Sequence, residues 1–206
     1  MTETVAGSSP FADVTVGFRS MTHDDLPDLV RWQQAPHAAR WFRSHDPGHD
    51  LVRVEERYGR RIDGIEPTRM WVIEIDGRPV GYVQDYLIGD HPEYAILTAE
   101  PDAIGVDFVI GEPSLIGKGI GTWVLRTFLR DVVRPNYPDA EKYVACPDHR
   151  NAASLRVLEK LGFVQGMWFD EPQADGSVDT LICCTLDVAS WLSAGSPSRA
   201  TKVTGW

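Results

Sequence analysis

The chain has 206 residues, of which 43% are hydrophobic and 10% aromatic, enough for one domain with a sizeable core, and this composition excludes wholesale disorder. Its 20 basic and 30 acidic residues give a formal net charge of −10. That charge excludes an electrostatic affinity for nucleic acid or an anionic membrane, and it favours a cationic partner.

Both ends of the chain are small and polar, so we expect flexible tails at 1–13 and 193–206 around a single domain at 14–192. The first tail has no basic start and no apolar stretch of signal length, and no apolar run is long enough to span a bilayer. The three cysteines lack the spacing of a disulfide framework or a metal site. We therefore expect a cytoplasmic protein with reduced thiols, no metal, and a monomeric or homodimeric state.

Hydrophobic periodicity and turn residues predict the elements in chain order. In the first half of the chain we predict a strand over 14–20, a helix capped by Thr22, and two helical pieces over 37–43 and 50–61. A hairpin about Asp76-Gly77 then joins a strand over 70–75 to a strand over 79–88. In the second half we predict a strand over 104–110, a helix over 121–133 ended by Pro135, a strand over 142–146 and a helix over 151–161 closed by Gly162. Two strands follow, over 163–169 and 178–186. This order predicts an α/β domain with a mixed sheet.

A glycine-rich loop, Gly117-Lys118-Gly119-Ile120-Gly121, joins the strand at 104–110 to the helix that follows it. Glycines let backbone N–H groups crowd around an anion, and a helix N-terminus adds partial positive charge. The loop is not a P-loop, because no Lys-Ser or Lys-Thr follows its last glycine, and its third glycine comes too early for a dinucleotide fingerprint. The pattern predicts a phosphate site, with an ordinary turn as the alternative.

A second motif lies about thirty residues further on, where Cys146-Pro147-Asp148-His149-Arg150-Asn151-Ala152-Ala153-Ser154 leads into a helix that ends at Leu161-Gly162-Phe163. With the glycine loop, these residues make the chain resemble the GCN5-related N-acetyltransferase (GNAT) superfamily over about 14–188. The resemblance implies a central mixed, mostly antiparallel sheet of about seven strands flanked by about four helices, with acetyl-CoA as cofactor. The implied cofactor-binding residues are Phe108, Val109, Ile110, Ile116, Gly117, Lys118, Gly119, Ile120, Gly121, Thr122, Asn151 and Ser154.

Within the superfamily, the chain looks most like the aminoglycoside 6'-N-acetyltransferases. The carrying residues are Gly105-Val106-Asp107, the run Leu115 to Thr122, and Gly81-Tyr82 with Gln84 and Tyr86. In that group the acid corresponding to Asp107 holds or deprotonates the acceptor amine, so the resemblance implies a catalytic Asp107 and a role in antibiotic resistance. Two departures are Leu158, where many members carry an acidic Tyr, and Cys146, where these enzymes use an acid to bind the antibiotic.

No Lys or Arg occurs from Pro79 to Gly117, although the stretch contains seven acids. A solvated acidic surface is one interpretation. Asp107, however, interrupts an apolar strand, and a buried carboxylate needs a partner or a function. We therefore predict a cleft that binds a cationic amine, with these acceptor-site residues: Asp85, Asp90, Glu93, Asp107 and Asp148.

The predicted reaction is direct acetyl transfer in a ternary complex, with Asp107 accepting the amine proton and a backbone N–H near Phe108 polarising the thioester carbonyl. Two alternatives stay open. The loop Asp148 to Asn151 also resembles siderophore-assembly acyltransferases that acylate hydroxylated lysine, for which His91 is the available acceptor-side histidine. The substitution at Leu158 also allows a non-catalytic acyl-CoA-binding domain.

Overall fold

The computed structural model of the protein describes residues 14–41, 50–173 and 176–194, together with the backbone of 202–204. These residues form one sheet of eight strands: β1 (Val16–Ser20), β2 (Arg69–Ile75), β3 (Arg78–Leu87), β4 (Ile104–Ile110), β5 (Lys142–Ala145), β6 (Val164–Pro172), β7 (Val178–Asp187) and β8 (Lys202–Thr204). Their order across the sheet is β6-β7-β5-β4-β3-β2-β1-β8. Only the β4–β5 and β1–β8 neighbours among these strands are parallel.

Seven α-helical segments lie in the described residues: α1 (Leu26–Gln34), α2 (Leu51–Ile62), α3 (Pro92–Thr98), α4 (Ile120–Phe128), α5 (Arg134–Asn136), α6 (Ala152–Leu161) and α7 (Val188–Ser193). A π-helical turn, Leu129–Val133, joins α4 directly to α5. No helix of these residues is both long and apolar enough to cross a bilayer.

The helices cover the two faces of the sheet with separate apolar clusters. On the first face, α1 and α2 pack Leu29 and Tyr58 against Val72 and Tyr82. On the second face, α4, α6 and α7 belong to the larger cluster. The side chains that contribute to it include Val124, Phe128, Leu158, Leu161 and Trp191. We call these surfaces the α1–α2 face and the α4–α6 face.

The register of β3 and β4 decides which side chains of the two strands meet. Gln84 lies directly opposite Asp107, and Tyr82 lies opposite Val109. Because strand side chains alternate between the faces, all four point to the α1–α2 face together with Tyr86.

The two strands β4 and β5 separate soon after they begin to run together. Their pairing covers only Ile104 with Tyr143 and Gly105 with Val144. The rest of β4, residues 106–110, keeps its pairing with β3 and has no paired strand on its other edge among the described residues. The sheet therefore opens between β4 and the segment that follows β5.

The structure confirms the mixed, mostly antiparallel sheet that the sequence predicts, and the strand Ile104–Ile110 has the predicted bounds. One predicted boundary is wrong, because the helix does not end at Pro135 but continues to Asn136. Helical backbone runs on through the π-helical turn, in which the N–H of Arg134 donates to the carbonyl of Leu129, and Pro135 follows directly after that turn.

Several elements were not predicted, namely α3, α7 and the edge strand β8. The segment 193–206, predicted as a flexible tail, contains the last residue of α7 and the three residues of β8, which pair with β1. The predicted tail 1–13 lies outside the described residues.

Candidate active site

The glycine loop forms a bend of exposed backbone at the N-terminus of α4. Gly117 and Gly119 have φ angles of 76° and 83°, in the left-handed region that favours glycine. Gly119 caps α4 without a side-chain hydrogen bond, and the first helical bond runs from the N–H of Trp123 to the carbonyl of Gly119. The N–H groups of Ile120, Gly121 and Thr122 therefore have no acceptor within the helix, as an anion site requires.

The backbone of β4 alternates between its partner β3 and the opening. The N–H of Gly111 donates to the carbonyl of Val80 at 2.8 Å, and a Cβ on Gly81 would lie 2.0 Å from the carbonyl oxygen of Val109. Odd-numbered backbone groups of β4 therefore face β3, and even-numbered groups face the opening. This corrects one prediction, because the N–H of Val109 faces β3, whereas those of Phe108 and Ile110 face the opening.

The glycine loop, β4 and α6 meet at Gly121. A Cβ on this glycine would lie 3.4 Å from Cγ2 of Val157 and 3.6 Å from Cε2 of Phe108. The start of α4 thus lies against a β4 side chain and the middle of α6. The predicted cofactor residues Phe108, Gly121 and their loop neighbours are brought together, with Ile116 and Lys118 exposed beside them.

The predicted cofactor residues on α6 have a structural role. Asn151 caps the helix, its side-chain oxygen accepting a hydrogen bond from the N–H of Ser154 at 3.1 Å. Such a cap satisfies one of the free N–H groups at the start of a helix. Both residues are partly exposed beside the opening, and their contact with a cofactor stays a prediction.

Asp107 is a partly exposed carboxylate with one oxygen held in place. Its Oδ2 accepts hydrogen bonds from Nε2 of Gln84 at 2.8 Å and from the hydroxyl of Tyr86 at 3.2 Å. Within the described residues, Oδ1 has no such partner. The carboxylate is therefore oriented by one oxygen and open to a ligand at the other.

Asp85 is not part of this site, which corrects the prediction that it contacts the acceptor. The alternation of β3 places its side chain on the α4–α6 face, opposite to Asp107, and the residue is fully buried. Nε of Arg69 donates to Oδ2 at 2.8 Å, and Nε1 of Trp71 donates to Oδ1 at 2.7 Å. Burial raises the pKa of Asp85, and Arg69 opposes that effect. Its carboxylate thus binds Arg69 and Trp71 within the protein core and does not face the acceptor.

The remaining predicted acids differ in their freedom to bind a cation. Asp90 and Glu93 are exposed at the start of the segment that leads through α3 to β4. Asp148 is bound by its own loop, since Arg150 donates to Oδ1 through Nε at 2.9 Å and through its backbone N–H at 2.7 Å. These bonds hold the pKa of Asp148 below its usual range. Asp90 and Glu93 stay candidates for binding a cation, whereas the carboxylate of Asp148 is already paired with Arg150.

The wall beyond Asp107 is aromatic and sulfur-rich. Tyr94 of α3 packs edge-on against Tyr86 and Phe169, with ring centroids 6.3 Å and 5.9 Å apart. A hydrogen bond with Cys183, together with burial, raises the pKa of the Cys146 thiol. Burial also raises the pKa of Tyr86 and of Tyr94. These shifts keep Tyr86, Tyr94 and Cys146 uncharged at neutral pH.

Two contacts of the site were not predicted from the sequence. Arg61 of α2 donates through Nη1 to Oε1 of Gln84 at 2.9 Å. His37, after α1, lies with Nε2 2.7 Å from the carbonyl oxygen of Ile110, on the side of β4 that faces the opening. Arg61 lies in α2 and His37 in the turn after α1, both distant in sequence from β4, and only their positions in the fold reveal them.

A carboxylate on one side of an opening lined by backbone N–H groups, with an anion-binding loop at its end, is the arrangement of a group-transfer enzyme that takes a phosphate-bearing donor. The chain belongs to the acetyltransferase (GNAT) domain family, whose model matches residues 21–170. It is thus an acetyl-CoA-dependent N-acetyltransferase of the GNAT type.

Comparisons with individual proteins show what the chain is similar to. It is 28% identical over 167 residues to the aminoglycoside N(6')-acetyltransferase type 1 of Klebsiella pneumoniae, covering 78% of this chain and 82% of that one. It is 25% identical over 158 residues to the lysine N-acyltransferase MbtK of Mycobacterium tuberculosis, covering 74% and 70%. The solved structure of AAC(6')-Ib with paromomycin and acetyl-CoA has a TM-score of 0.73 at 25% identity, covering 89% and 99%.

Proposed function

We propose that the protein acetylates a primary amine of a cationic small molecule, and that the 6'-amine of an aminoglycoside is its acceptor. The observation that carries the proposal is Asp107, whose Oδ2 is held by Gln84 and Tyr86 while Oδ1 stays open beside the opening. A primary amine has a pKa of about 10 and is mostly charged at neutral pH, so it needs a carboxylate to bind it and a base to deprotonate it.

Charge supports a polycationic acceptor. The formal net charge is −10, and the stretch from Pro79 to Gly117, which carries Asp90, Glu93 and Asp107, has no Lys or Arg. Exposed carboxylates near one cleft raise the rate at which a cation meets it. The 28% identity to an aminoglycoside N(6')-acetyltransferase supports the same acceptor class.

In the proposed reaction, acetyl-CoA supplies an acetyl thioester, and the residues of the chain bind, orient and deprotonate. The backbone of Gly117 to Thr122 offers N–H groups to the pyrophosphate. The N–H groups of Phe108 and Ile110, which face the opening, are the donors available to polarise the thioester carbonyl. Asp107 holds the ammonium group and accepts its proton, directly or through water.

Position 158 supplies no phenol to protonate the departing thiolate, because the residue there is a leucine. Leu158 is buried in the core of the α4–α6 face. A free thiol has a pKa of about 8.5, so its thiolate can leave without a dedicated acid. We therefore assign no acid in this mechanism.

The test is an assay of thiol release from acetyl-CoA with kanamycin-type amines, N-hydroxylysine and a simple diamine, with the product located by mass spectrometry. We expect turnover with the aminoglycoside and modification of its 6'-amine. Asp107→Asn should lower kcat/KM by about 10²- to 10⁴-fold while leaving the affinity for coenzyme A unchanged. Coenzyme A binding without turnover of any amine would instead support a non-catalytic domain.

A second candidate acceptor is a hydroxylated lysine. The ring of His91 packs edge-on against Tyr86 at a centroid distance of 4.9 Å, which puts a histidine one residue from Asp107. The 25% identity to a lysine N-acyltransferase supports this class as well. Preferential turnover of N-hydroxylysine, lost in His91→Ala and kept in Asp90→Asn, would favour it over the aminoglycoside.

A further inference from the structure

A chain of side-chain hydrogen bonds leads from the end of α2 to Asp107. Nε of Arg61 donates to Oε2 of Glu66 at 3.3 Å, and its Nη1 donates to Oε1 of Gln84 at 2.9 Å. The other end of the Gln84 amide, Nε2, donates to Oδ2 of Asp107 at 2.8 Å. Arg61 of α2 and Asp107 of β4 are thus joined through the neutral amide of Gln84 on β3.

The guanidinium group fixes the direction of this chain. Arginine can only donate hydrogen bonds, so it accepts no alternative to the oxygen of Gln84. If the amide turned over, its NH₂ group would face Arg61, and its oxygen would face the carboxylate of Asp107. Both contacts would be repulsive, and therefore Arg61 keeps the NH₂ group directed at Asp107.

The charges near Asp107 do not by themselves explain how a bound amine loses its proton. The side chain of Arg61 is only 20% exposed, and the phenols and thiol near Asp107 are neutral because burial raises the pKa of Tyr86 and Tyr94 and contact with Cys183 raises that of Cys146. A carboxylate alone would favour the charged form of a bound amine, which is the unreactive form. Because Arg61 is paired with Glu66, its effect on the site is to orient the Gln84 amide, and it does not change this preference.

We propose that Arg61 is a positioning residue of the acetyl transfer, acting through Gln84 to fix the orientation of Asp107. This inference rests on the proposed role of Asp107 as the base. It assigns to α2, which packs on the opposite side of Gln84 from β4, a direct influence on the acceptor amine.

The chain provides a matched control in the neighbouring Arg60. Nε of Arg60 also donates to Glu66, at 3.1 Å, but its side chain is 58% exposed and points to no residue of the site. Arg60→Gln and Arg61→Gln therefore remove the same charge and one contact with the same carboxylate. Only Arg61→Gln removes the contact with Gln84.

The experiment compares steady-state rates of both variants for the acceptor that the wild type turns over. Arg61→Gln should lower kcat by about 10- to 100-fold with little change in the KM for acetyl-CoA, because a displaced base slows the transfer. Arg60→Gln should resemble the wild type, and Arg61→Lys should recover part of the loss. Equal rates for Arg60→Gln and Arg61→Gln would overturn the inference.

A double-mutant cycle separates positioning from a structural role. In an Asp107→Asn background, Arg61→Gln should have no further effect on kcat, because its action passes through the missing carboxylate. A full additional loss would show that Arg61 acts by supporting the fold. If Asp107→Asn itself kept wild-type rates, the proposed function would fail instead.

A readout without turnover keeps the two proposals distinguishable. The side-chain NH₂ resonances of Gln84 in an NMR spectrum, assigned by their absence in Gln84→Met, report its hydrogen bond to Asp107. We expect them to move in Arg61→Gln and to stay unchanged in Arg60→Gln. Unmoved resonances in Arg61→Gln would overturn the positioning role whatever the acceptor is.

Discussion

The backbone of Gly105 lies against the ring of Tyr86, so close that a Cβ at position 105 would fall 2.4 Å from Cε2 of that ring. Only a residue without a side chain lets the ring cross β4, and the crossing brings the Tyr86 hydroxyl within 3.2 Å of Asp107. The glycine of the Gly105-Val106-Asp107 motif therefore leaves room for the Tyr86 ring, whose hydroxyl donates to Asp107.

This contact predicts the effect of Gly105→Ala. The added methyl group must displace the Tyr86 ring, and such overpacking costs about 1–3 kcal/mol of unfolding free energy. Activity should fall as well, because Asp107 loses a donor. Urea unfolding and thiol release measure the two effects. Gly59→Ala is the control, since its Cβ would lie 3.4 Å from a ring atom of His23, and it should be neutral or stabilising. Wild-type stability in Gly105→Ala would contradict the packing argument.

The glycine loop gives a second prediction through two glycines of similar backbone geometry. Gly117 in the loop and Gly176 in a distant turn have φ angles of 76° and 81°, and a Cβ on either would have no neighbour within 4 Å. Alanine at either position should cost about 1–2 kcal/mol, because L-residues disfavour this region. Only Gly117→Ala should weaken coenzyme A binding, by about 10-fold, in isothermal titration calorimetry. Equal affinities in both variants would remove the loop from the cofactor site.

The two roles of Asn151 can be separated by a pair of substitutions. Asn151→Ala removes the cap on the Ser154 N–H and should cost about 1 kcal/mol of unfolding free energy, whereas Asn151→Ser keeps a capping oxygen and should restore most of it. If Asn151 also contacts the cofactor, its amide is missing from both variants. Calorimetry of coenzyme A should then show weaker binding in both, and recovery in Asn151→Ser would indicate a cap alone.

The pairing of Asp25 with Arg19 predicts a pH-dependent stability. Burial raises the pKa of Asp25, but the hydrogen bonds from Arg19 and from the N–H of Thr22 outweigh it and lower the pKa below its ordinary value of 3.8. Asp25 therefore stabilises the fold above that value, and its contribution is lost as the pH falls through the lower folded-state pKa.

Asp25→Asn should accordingly cost about 1.5–3 kcal/mol at pH 7, the usual worth of a hydrogen bond to a charged group. The difference from the wild type should stay constant down to about pH 4 and shrink below it. Urea unfolding at several pH values measures it, with the exposed neighbour Asp24→Asn as control. A difference that grows on acidification would have the wrong sign.

The geometry of the glycine loop and of the α6 cap was predictable because its signals are local in the chain. Gly117 to Gly121, Asn151 and Gly162 each act on the helix beside them, so residue type and spacing were enough. Strand 104–110 was equally clear, because its apolar run is bounded by turn residues. The helix end predicted at Pro135 was wrong, since a π-helical turn that continues a helix has no distinct sequence pattern.

The acceptor side depends on contacts between residues far apart in the chain. Asp85 and Asp107 are both acids in buried strands, and only the register of β3 and β4 shows that they point to opposite faces. Sixteen residues, including α3, separate those strands, so no tight turn fixes the register in advance. Arg61 lies in α2, two elements before β3 in the chain, and its hydrogen bond to Gln84 exists only in the assembled fold.

Strand β4 directs the N–H groups of Phe108 and Ile110 to the opening and the side chain of Asp107 to the α1–α2 face. Every residue type except proline supplies the same N–H group, so replacements around Asp107 on the α1–α2 face leave the N–H groups at the opening unchanged. Divergence of acceptor preference and retention of acetyl-CoA can therefore proceed independently on a single strand. A library built at 90 and 93, with Gln84, Tyr86 and Asp107 kept, would explore new amines without changing the proposed base or the backbone that faces the acetyl donor.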